Sequence, residues 1–183
     1  KSIVIFGLGG IGLVSLNAAK IIGCKPIIAV DIFDEKLELA SAIGATHLIN
    51  SSMNDPIEKI KIICPDGVDY AIEASGIPEV MLQALYGVRN QGGIAVIVGN
   101  AIYGEHLQLD PRQLNKGKQL RGTWGGDNIP DRDFPHYMDL IITKNLNIDF
   151  LMKNKYKLTE INKAINDLRC GKVVRPIIQM NKE

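Results

Sequence analysis

The sequence predicts an α/β fold: a doubly wound, six-stranded parallel sheet with helices on both faces, followed by a small α/β tail. Three observations predict it. Short apolar runs alternate with amphipathic stretches over residues 1–124, the pattern of strands buried on both faces and joined by crossover helices. Glycine or proline punctuates most of the junctions between them. A glycine-rich turn, Gly7-Leu8-Gly9-Gly10-Ile11-Gly12, separates the first apolar run from the first amphipathic stretch. With 183 residues, of which 46% are hydrophobic and 22% charged, the chain is long enough to bury the core of one such domain and to carry an appendage.

The elements follow in order. Residues 2–6 form the first strand, and residues 11–22 a helix that Gly23 stops. Residues 26–30 complete a βαβ unit, with Ile, Ala and Val suited to burial on both faces. Asp34 is placed to cap a helix running to Ile43, where Gly44 supplies the left-handed residue that ends it. Residues 47–49 are the third strand. Asp55-Pro56 starts a helix reaching Cys64, because the carboxylate accepts orphan amide hydrogens and proline fills the first helical position without losing a bond. Residues 68–72 are the fourth strand, Pro78 opens a helix to Arg89, and Gly92-Gly93 turns the chain into a fifth strand over 94–98. Asp110-Pro111 repeats the helix-start signal before a sixth strand over 118–124.

Beyond Gly125-Gly126 the stretch Asp127-Asn128-Ile129-Pro130-Asp131 is polar and turn-rich, and a helix follows over 133–144. Thr159 caps a further helix with Ile161, Ala164, Ile165 and Leu168 on one face, closed by Gly171 and followed by a strand over 173–178. This tail is too small to stand alone. The expected division is a main domain over 1–124 and a C-terminal segment over 125–183 that packs on something else.

A formal net charge of +1 with scattered lysines gives no field to gather nucleic acid or an anionic membrane, so neither is an expected partner. No apolar run is long enough to span a bilayer. The start at Lys1 with a strand close behind leads to the expectation of a cytoplasmic protein and of a piece of a longer chain. Cys24, Cys64 and Cys170 are too dispersed for a zinc knuckle, a redox pair or a disulfide framework and read as structural thiols. His47, His106 and His136 read as loop or surface residues.

Gly7, Gly9 and Gly12 fit G-x-G-x-x-G, which is a weak match alone and gains weight from the strand before it and the helix after it. Gly7 allows the tight turn, Gly9 lets backbone approach a pyrophosphate, and Gly12 permits close helix-to-strand packing. The amides of Gly10 and Ile11 would face the phosphates at the positive end of the helix. No lysine or serine follows in P-loop spacing. Asp31 ends the second strand nineteen residues after Gly12, where a carboxylate can accept hydrogen bonds from both hydroxyls of an adenosine ribose. That placement favours NAD over NADP, since a 2′-phosphate would meet carboxylates at Asp31, Asp34 and Glu35. Lys36 is within reach of the same ribose. These features are those of a Rossmann dinucleotide domain.

With these residues on the page, the chain resembles the medium-chain dehydrogenase/reductase superfamily and, within it, the zinc-containing alcohol dehydrogenases. The resemblance runs along essentially the whole chain. It rests on Phe6-Gly7-Leu8-Gly9-Gly10-Ile11-Gly12, Asp31 with Lys36, Ala42-Ile43-Gly44-Ala45-Thr46, Gly67-Val68-Asp69-Tyr70, Gly92-Gly93, and Gly171-Lys172-Val173-Val174-Arg175. It implies hydride transfer between an alcohol or aldehyde and NAD, with a zinc ion polarising the alcohol oxygen in the full-length protein. It also implies that Arg175 pairs with the pyrophosphate, that Val98, Thr123 and Trp124 offer backbone groups to the nicotinamide carboxamide, and that the protein is a homodimer or homotetramer. The segment 101–109 is the expected edge for that pairing. The family's zinc ligands lie in a domain that precedes the first of these strands, so no catalytic or metal-binding residue is assigned here.

Three other readings share a glycine-rich turn. A non-catalytic NAD-sensing domain would account for the turn without the tail or Arg175, and a zinc-independent quinone or enoyl reductase would prefer a basic residue at the position of Asp31. A methyltransferase is disfavoured by the three-glycine spacing and the sixth-strand segment.

Overall fold

The computed structural model describes residues 1–143 and 146–180. The main sheet comprises β1 (Ile3–Phe6), β2 (Ile27–Asp31), β3 (His47–Asn50), β4 (Tyr70–Glu73), β5 (Ile94–Ile97) and β6 (Gln119–Gly122). All its pairings are parallel, in the order β3-β2-β1-β4-β5-β6. The doubly wound sheet expected from the sequence is therefore present. Its order reverses between β1 and β4, where Phe6 lies opposite Glu73 in register.

Alternation along β1 explains the two-sided core. Ile3 and Ile5 join Leu13, Leu16 and Leu37, contributed by α1 (Gly10–Ile21) and α2 (Asp34–Ile43), on one face. Val4 and Phe6 join Ile60, Ala84 and Leu85, contributed by α3 (Pro56–Ile63) and α4 (Pro78–Gly87), on the other. Each such fully buried aliphatic or aromatic side chain is worth about 1.5–3 kcal/mol of transfer free energy. Asp55 caps α3 as expected, accepting from the amides of Ile57 at 2.7 Å and Glu58 at 3.3 Å.

Several boundaries differ from the sequence expectation, each for a local reason. Phe33, not Asp34, precedes α2; the Asp34 carboxylate instead accepts from Asn50 Nδ2 at 2.7 Å. The fourth helix stops at Gly87 rather than Arg89 because Val88 forms a bridge with Val68, and the Arg89 amide donates to the Val68 carbonyl. β4 starts at Tyr70 rather than at residue 68, and β5 ends at Ile97 rather than at residue 98. β6 begins only after Lys118, whose side chain reaches the Tyr86 carbonyl at the end of α4, and ends before Thr123.

After the short helix α5 (Arg112–Asn115) and β6, the chain makes a single 3-10 turn over Gly125–Asp127 and enters α6 (Pro130–Ile142). Its start precedes the expected residue 133, and residue 144 of the expected helix lies outside the described residues. A strand not expected from the sequence, β7 (Asn154–Lys157), pairs in parallel with β8 (Pro176–Gln179), and α7 (Ile161–Arg169) connects them. Thr159 lies in a 3-10 turn before α7 and does not cap it; Glu160 accepts from the Lys157 amide at 3.0 Å. Residues 173–175 stay outside the strand, but Val173 packs with Tyr156 and Ala164 in a small core of this tail. Phe150 from the tail sits in the same cluster as Leu8 and Leu13.

Candidate functional site

The site is built at the C-terminal edge of the main sheet, where β1 and β4 diverge. Gly7 leaves β1 at φ +82°, and a Cβ there would stand 2.9 Å from the Ser75 amide nitrogen of the β4–α4 loop. A Cβ on Gly12 would fall on the carbonyl oxygen of Gly7. These two glycines are therefore required by packing. Gly9 differs: nothing lies within 4 Å of where its Cβ would be, so this backbone faces open space at the helix start.

α1 begins at Gly10, and its first amides, those of Gly10, Ile11 and Gly12, have no hydrogen-bond partner among the described residues. Ile11 is 57% exposed. Unpaired N–H groups at the positive end of a twelve-residue helix can receive an anion.

Asp31 closes β2 beside this turn, and both carboxylate oxygens already hold the backbone. Oδ2 accepts from the Leu8 amide at 2.7 Å, while Oδ1 accepts from the amides of Ile32 at 2.8 Å and Phe33 at 3.1 Å. Lys36 Nζ stands 3.9 Å from Oδ2 and 4.7 Å from the centroid of the Phe33 ring. The sequence predicts Asp31 as a ribose acceptor and gives no sign of its bonds to the glycine turn. The anchoring leaves acceptor capacity on Oδ2, since an ionised carboxylate oxygen accepts more than one donor.

A cavity of about 290 Å³ gathers Gly7, Gly9, Asp31 and Lys36 with residues that the sequence did not single out, among them Ile32, Ser75 and Ile77. Ile32 and Ile77 are 54% and 50% exposed, which puts apolar side chains at its mouth. Their signal in the sequence was positional: each follows the C-terminal end of a strand next to the switch point.

Beneath the cavity lies Glu73, fully buried at the end of β4. Its Oε1 accepts from the amides of Ser75 at 2.6 Å and Gly76 at 2.9 Å and from the Ser75 hydroxyl at 2.5 Å. Its backbone carbonyl accepts from the amides of Val98 at 2.8 Å and Gly99 at 3.1 Å. Oε2 has no hydrogen-bond partner among the described residues, and a Cβ on Gly99 would approach it to 2.8 Å. One residue thus holds the loops after β4 and β5 together.

Other sequence candidates lie apart from the cavity. Val98 and Thr123 follow β5 and β6 on the same edge of the sheet, joined through the Thr123 amide and the Ile97 carbonyl at 3.2 Å, but neither lines it. The Thr123 hydroxyl donates to Asp127 at 3.0 Å, and Trp124 is 84% exposed. Arg175 is exposed, with no ion pair or hydrogen bond among the described residues, and does not line the cavity. Of the cysteines, Cys24 is buried, but Cys170 is exposed, which corrects the expectation of three structural thiols. Among the described residues no three His, Cys, Asp or Glu side chains come together in a way that could hold a metal ion. No helix among them is long and apolar enough to cross a membrane.

Known proteins share this architecture. The chain is 35% identical over its full length to alcohol dehydrogenase-like 5 of Arabidopsis thaliana, of which it covers 48%. Among solved structures it superposes on benzyl alcohol dehydrogenase from Acinetobacter calcoaceticus with a TM-score of 0.92 and 38% identity, over 98% of this chain and 49% of that one. A protein from Sinorhizobium meliloti 1021, assigned as a zinc-binding dehydrogenase and bound to NADP, matches with a TM-score of 0.80 and 28% identity over 90% of this chain and 48% of that one. The chain thus spans about half the length of the relatives it matches. Residues 10–143 match the family model for zinc-binding dehydrogenases. Taken with the sheet order and the glycine turn, this establishes that the chain belongs to the zinc-binding dehydrogenase family.

Proposed function

We propose that this chain is the NAD-binding half of an alcohol dehydrogenase, with residues 1–124 binding the dinucleotide and residues 125–183 forming a segment that returns to a catalytic domain outside the chain. The observation that carries the reading is the cavity at the switch point, which the open backbone at Gly9 and the carboxylate of Asp31 line, with the unpaired amides at the start of α1 following directly after Gly9. The residues present fit a dinucleotide. The helix start receives the pyrophosphate, Asp31 Oδ2 accepts from the adenosine ribose, and Ile32 and Ile77 flank the adenine. When bound, NAD supplies the hydride acceptor for oxidation of a small-molecule alcohol, or as NADH the donor for reduction of an aldehyde.

The family's metal does not fit the described residues, which bring no set of three donors together. In this reading zinc belongs to the catalytic domain. Arg175 has a free guanidinium able to pair with the pyrophosphate, and the backbone of Val98, Thr123 and Trp124 can serve the nicotinamide carboxamide. These roles are proposals that crosslinking or mutagenesis with bound cofactor would check.

Asp31 favours NAD over NADP, because a 2′-phosphate would approach a carboxylate and Lys36 offsets only part of that repulsion. Titration calorimetry of the chain with the two cofactors tests this. NAD should bind at least about tenfold more tightly, a difference of about 1.4 kcal/mol; equal or reversed affinities would refute the assignment. Replacing Asp31 by Ala should remove at least about 1.5–3 kcal/mol of NAD binding, since the charge-assisted ribose bond is lost together with the acceptor that holds the Leu8 amide. The main β6 edge has no strand partner among the described residues, and Ile102 and Tyr103 of the neighbouring segment 101–109 are 76% and 104% exposed, which supports a homodimer or homotetramer paired along this side.

A further inference from the structure

A larger cavity, of about 750 Å³, lies at the opposite, N-terminal edge of the sheet, among the segments that lead into β4, β5 and β6. The glycine turn stands at the other end of these parallel strands, so this cavity has no part in the dinucleotide site. Its charged lining is one-sided: Lys61, Arg89, Lys116 and Lys118 face a single carboxylate, Asp66.

The four cations differ in how they are held. Arg89 is fixed, with Nε on Asp69 at 2.9 Å and Nη1 on the Gln91 carbonyl at 2.7 Å. Lys118 is 9% exposed, and its ammonium donates to the carbonyls of Leu85 at 3.2 Å and Tyr86 at 2.9 Å at the end of α4. Two carbonyls leave one of its three N–H donors open, and no carboxylate among the described residues pairs with it. Lys61 and Lys116 are exposed and make neither an ion pair nor a hydrogen bond through their side chains among the described residues. Burial, and then the charges of Lys116 and Lys61, pull the Lys118 pKa down to about 8.

A desolvated ammonium beside two further unpaired cations carries a repulsion that a bound anion would remove. The volume falls in the range of small-molecule sites, and Gln91 and Gln113 add neutral donors to the lining. The formal charge of the whole chain is only +1, so the positive field is local to this groove and suits a compact ligand rather than a polymer. We propose that the groove binds a phosphorylated small molecule bearing at least two phosphate charges, with Lys118 at its floor and Lys61 and Lys116 at its rim.

The test uses inorganic pyrophosphate as probe, with the chain saturated by NAD so that the glycine turn is filled. Trace acetylation of each lysine is mapped by mass spectrometry, with Lys155 on β7 as internal reference. Pyrophosphate at ten times its dissociation constant should slow acetylation of Lys61, Lys116 and Lys118 by about tenfold relative to Lys155, following the occupancy of the site. Sodium chloride at matched ionic strength should not. In a Lys61→Gln/Lys116→Gln variant, whose changes are on exposed side chains, the protection of Lys118 should disappear while NAD affinity is kept. Absence of protection, equal protection by sodium chloride, or protection that survives in the double variant would each overturn the proposal. The readout is local to these lysines, so failure of NAD to bind would count against the dinucleotide reading without producing or abolishing this pattern.

Discussion

At the residue scale the glycine turn separates fold from function. A Cβ on Gly12 meets the Gly7 carbonyl, whereas one on Gly9 meets nothing within 4 Å. Gly12→Ala should therefore cost more than about 2 kcal/mol of stability, through overpacking in a core that cannot yield. Gly9→Ala should leave the thermal midpoint nearly unchanged and weaken NAD binding about tenfold or more, because the added methyl occupies the space where the pyrophosphate approaches. Thermal melts and calorimetry on the pair check both outcomes. Glu73 makes a second residue-scale prediction. Its Oε1 accepts three hydrogen bonds that hold the loop after β4, so Glu73→Ala should cost about 2 kcal/mol by leaving part-buried donors without their acceptor, while Glu73→Gln, which keeps the accepting oxygen, should cost less than half as much in a urea melt. The sequence could not show this role, because a glutamate at a strand end looks like any surface acid until burial is known.

At the element scale, legibility followed hydrophobic contrast. β1 and β2 are fully buried runs and were plain in the sequence. β7, with Asn154, Lys155 and Lys157 around a single buried Tyr156, had no alternation strong enough to announce a strand. Cap placement was mixed for a related reason. Asp55 precedes a proline that can only start a helix, but Asp34 and Thr159 stand among residues that admit several starts, and tertiary contacts chose another. The end of α4 carries a prediction of its own, since the Lys118 ammonium rests on its last carbonyls. The folded pKa of about 8 lies below the usual 10.5, so the unfolded chain binds more protons between these values. The contribution of Lys118 to stability should therefore rise as pH increases from 8 to 10.5. Urea melts of the protein and of Lys118→Met across that window should show the difference moving in favour of the native residue, and a constant difference would contradict the lowered pKa.

At the scale of the whole molecule, sheet order and the location of the site were legible, because alternating strands and helices with one glycine turn admit few topologies. What covers the outer surfaces was not. α6 has no buried residue, and Phe134, Met138 and Ile142 on it are 56%, 54% and 69% exposed. The chain spans about half the length of its relatives, and under the proposed function these surfaces would meet the catalytic domain. The exposed segment 101–109 and the β6 edge place one testable outcome here: sedimentation velocity should show a species of twice the chain mass or more, and Tyr103→Glu should shift it toward monomer.

The bonds of Asp31 have a consequence for cofactor redesign. An engineer seeking to accept a phosphorylated ribose would first think to replace this acid with a neutral or basic residue. The Leu8 amide, held at 2.7 Å by Oδ2, would then lose its acceptor, and the loop proposed to cradle the pyrophosphate would loosen just as the new specificity was installed. A workable route starts elsewhere, by giving Leu8 a substitute acceptor from the β4–α4 loop. Only afterwards can the acid be exchanged without dismantling the turn it anchors.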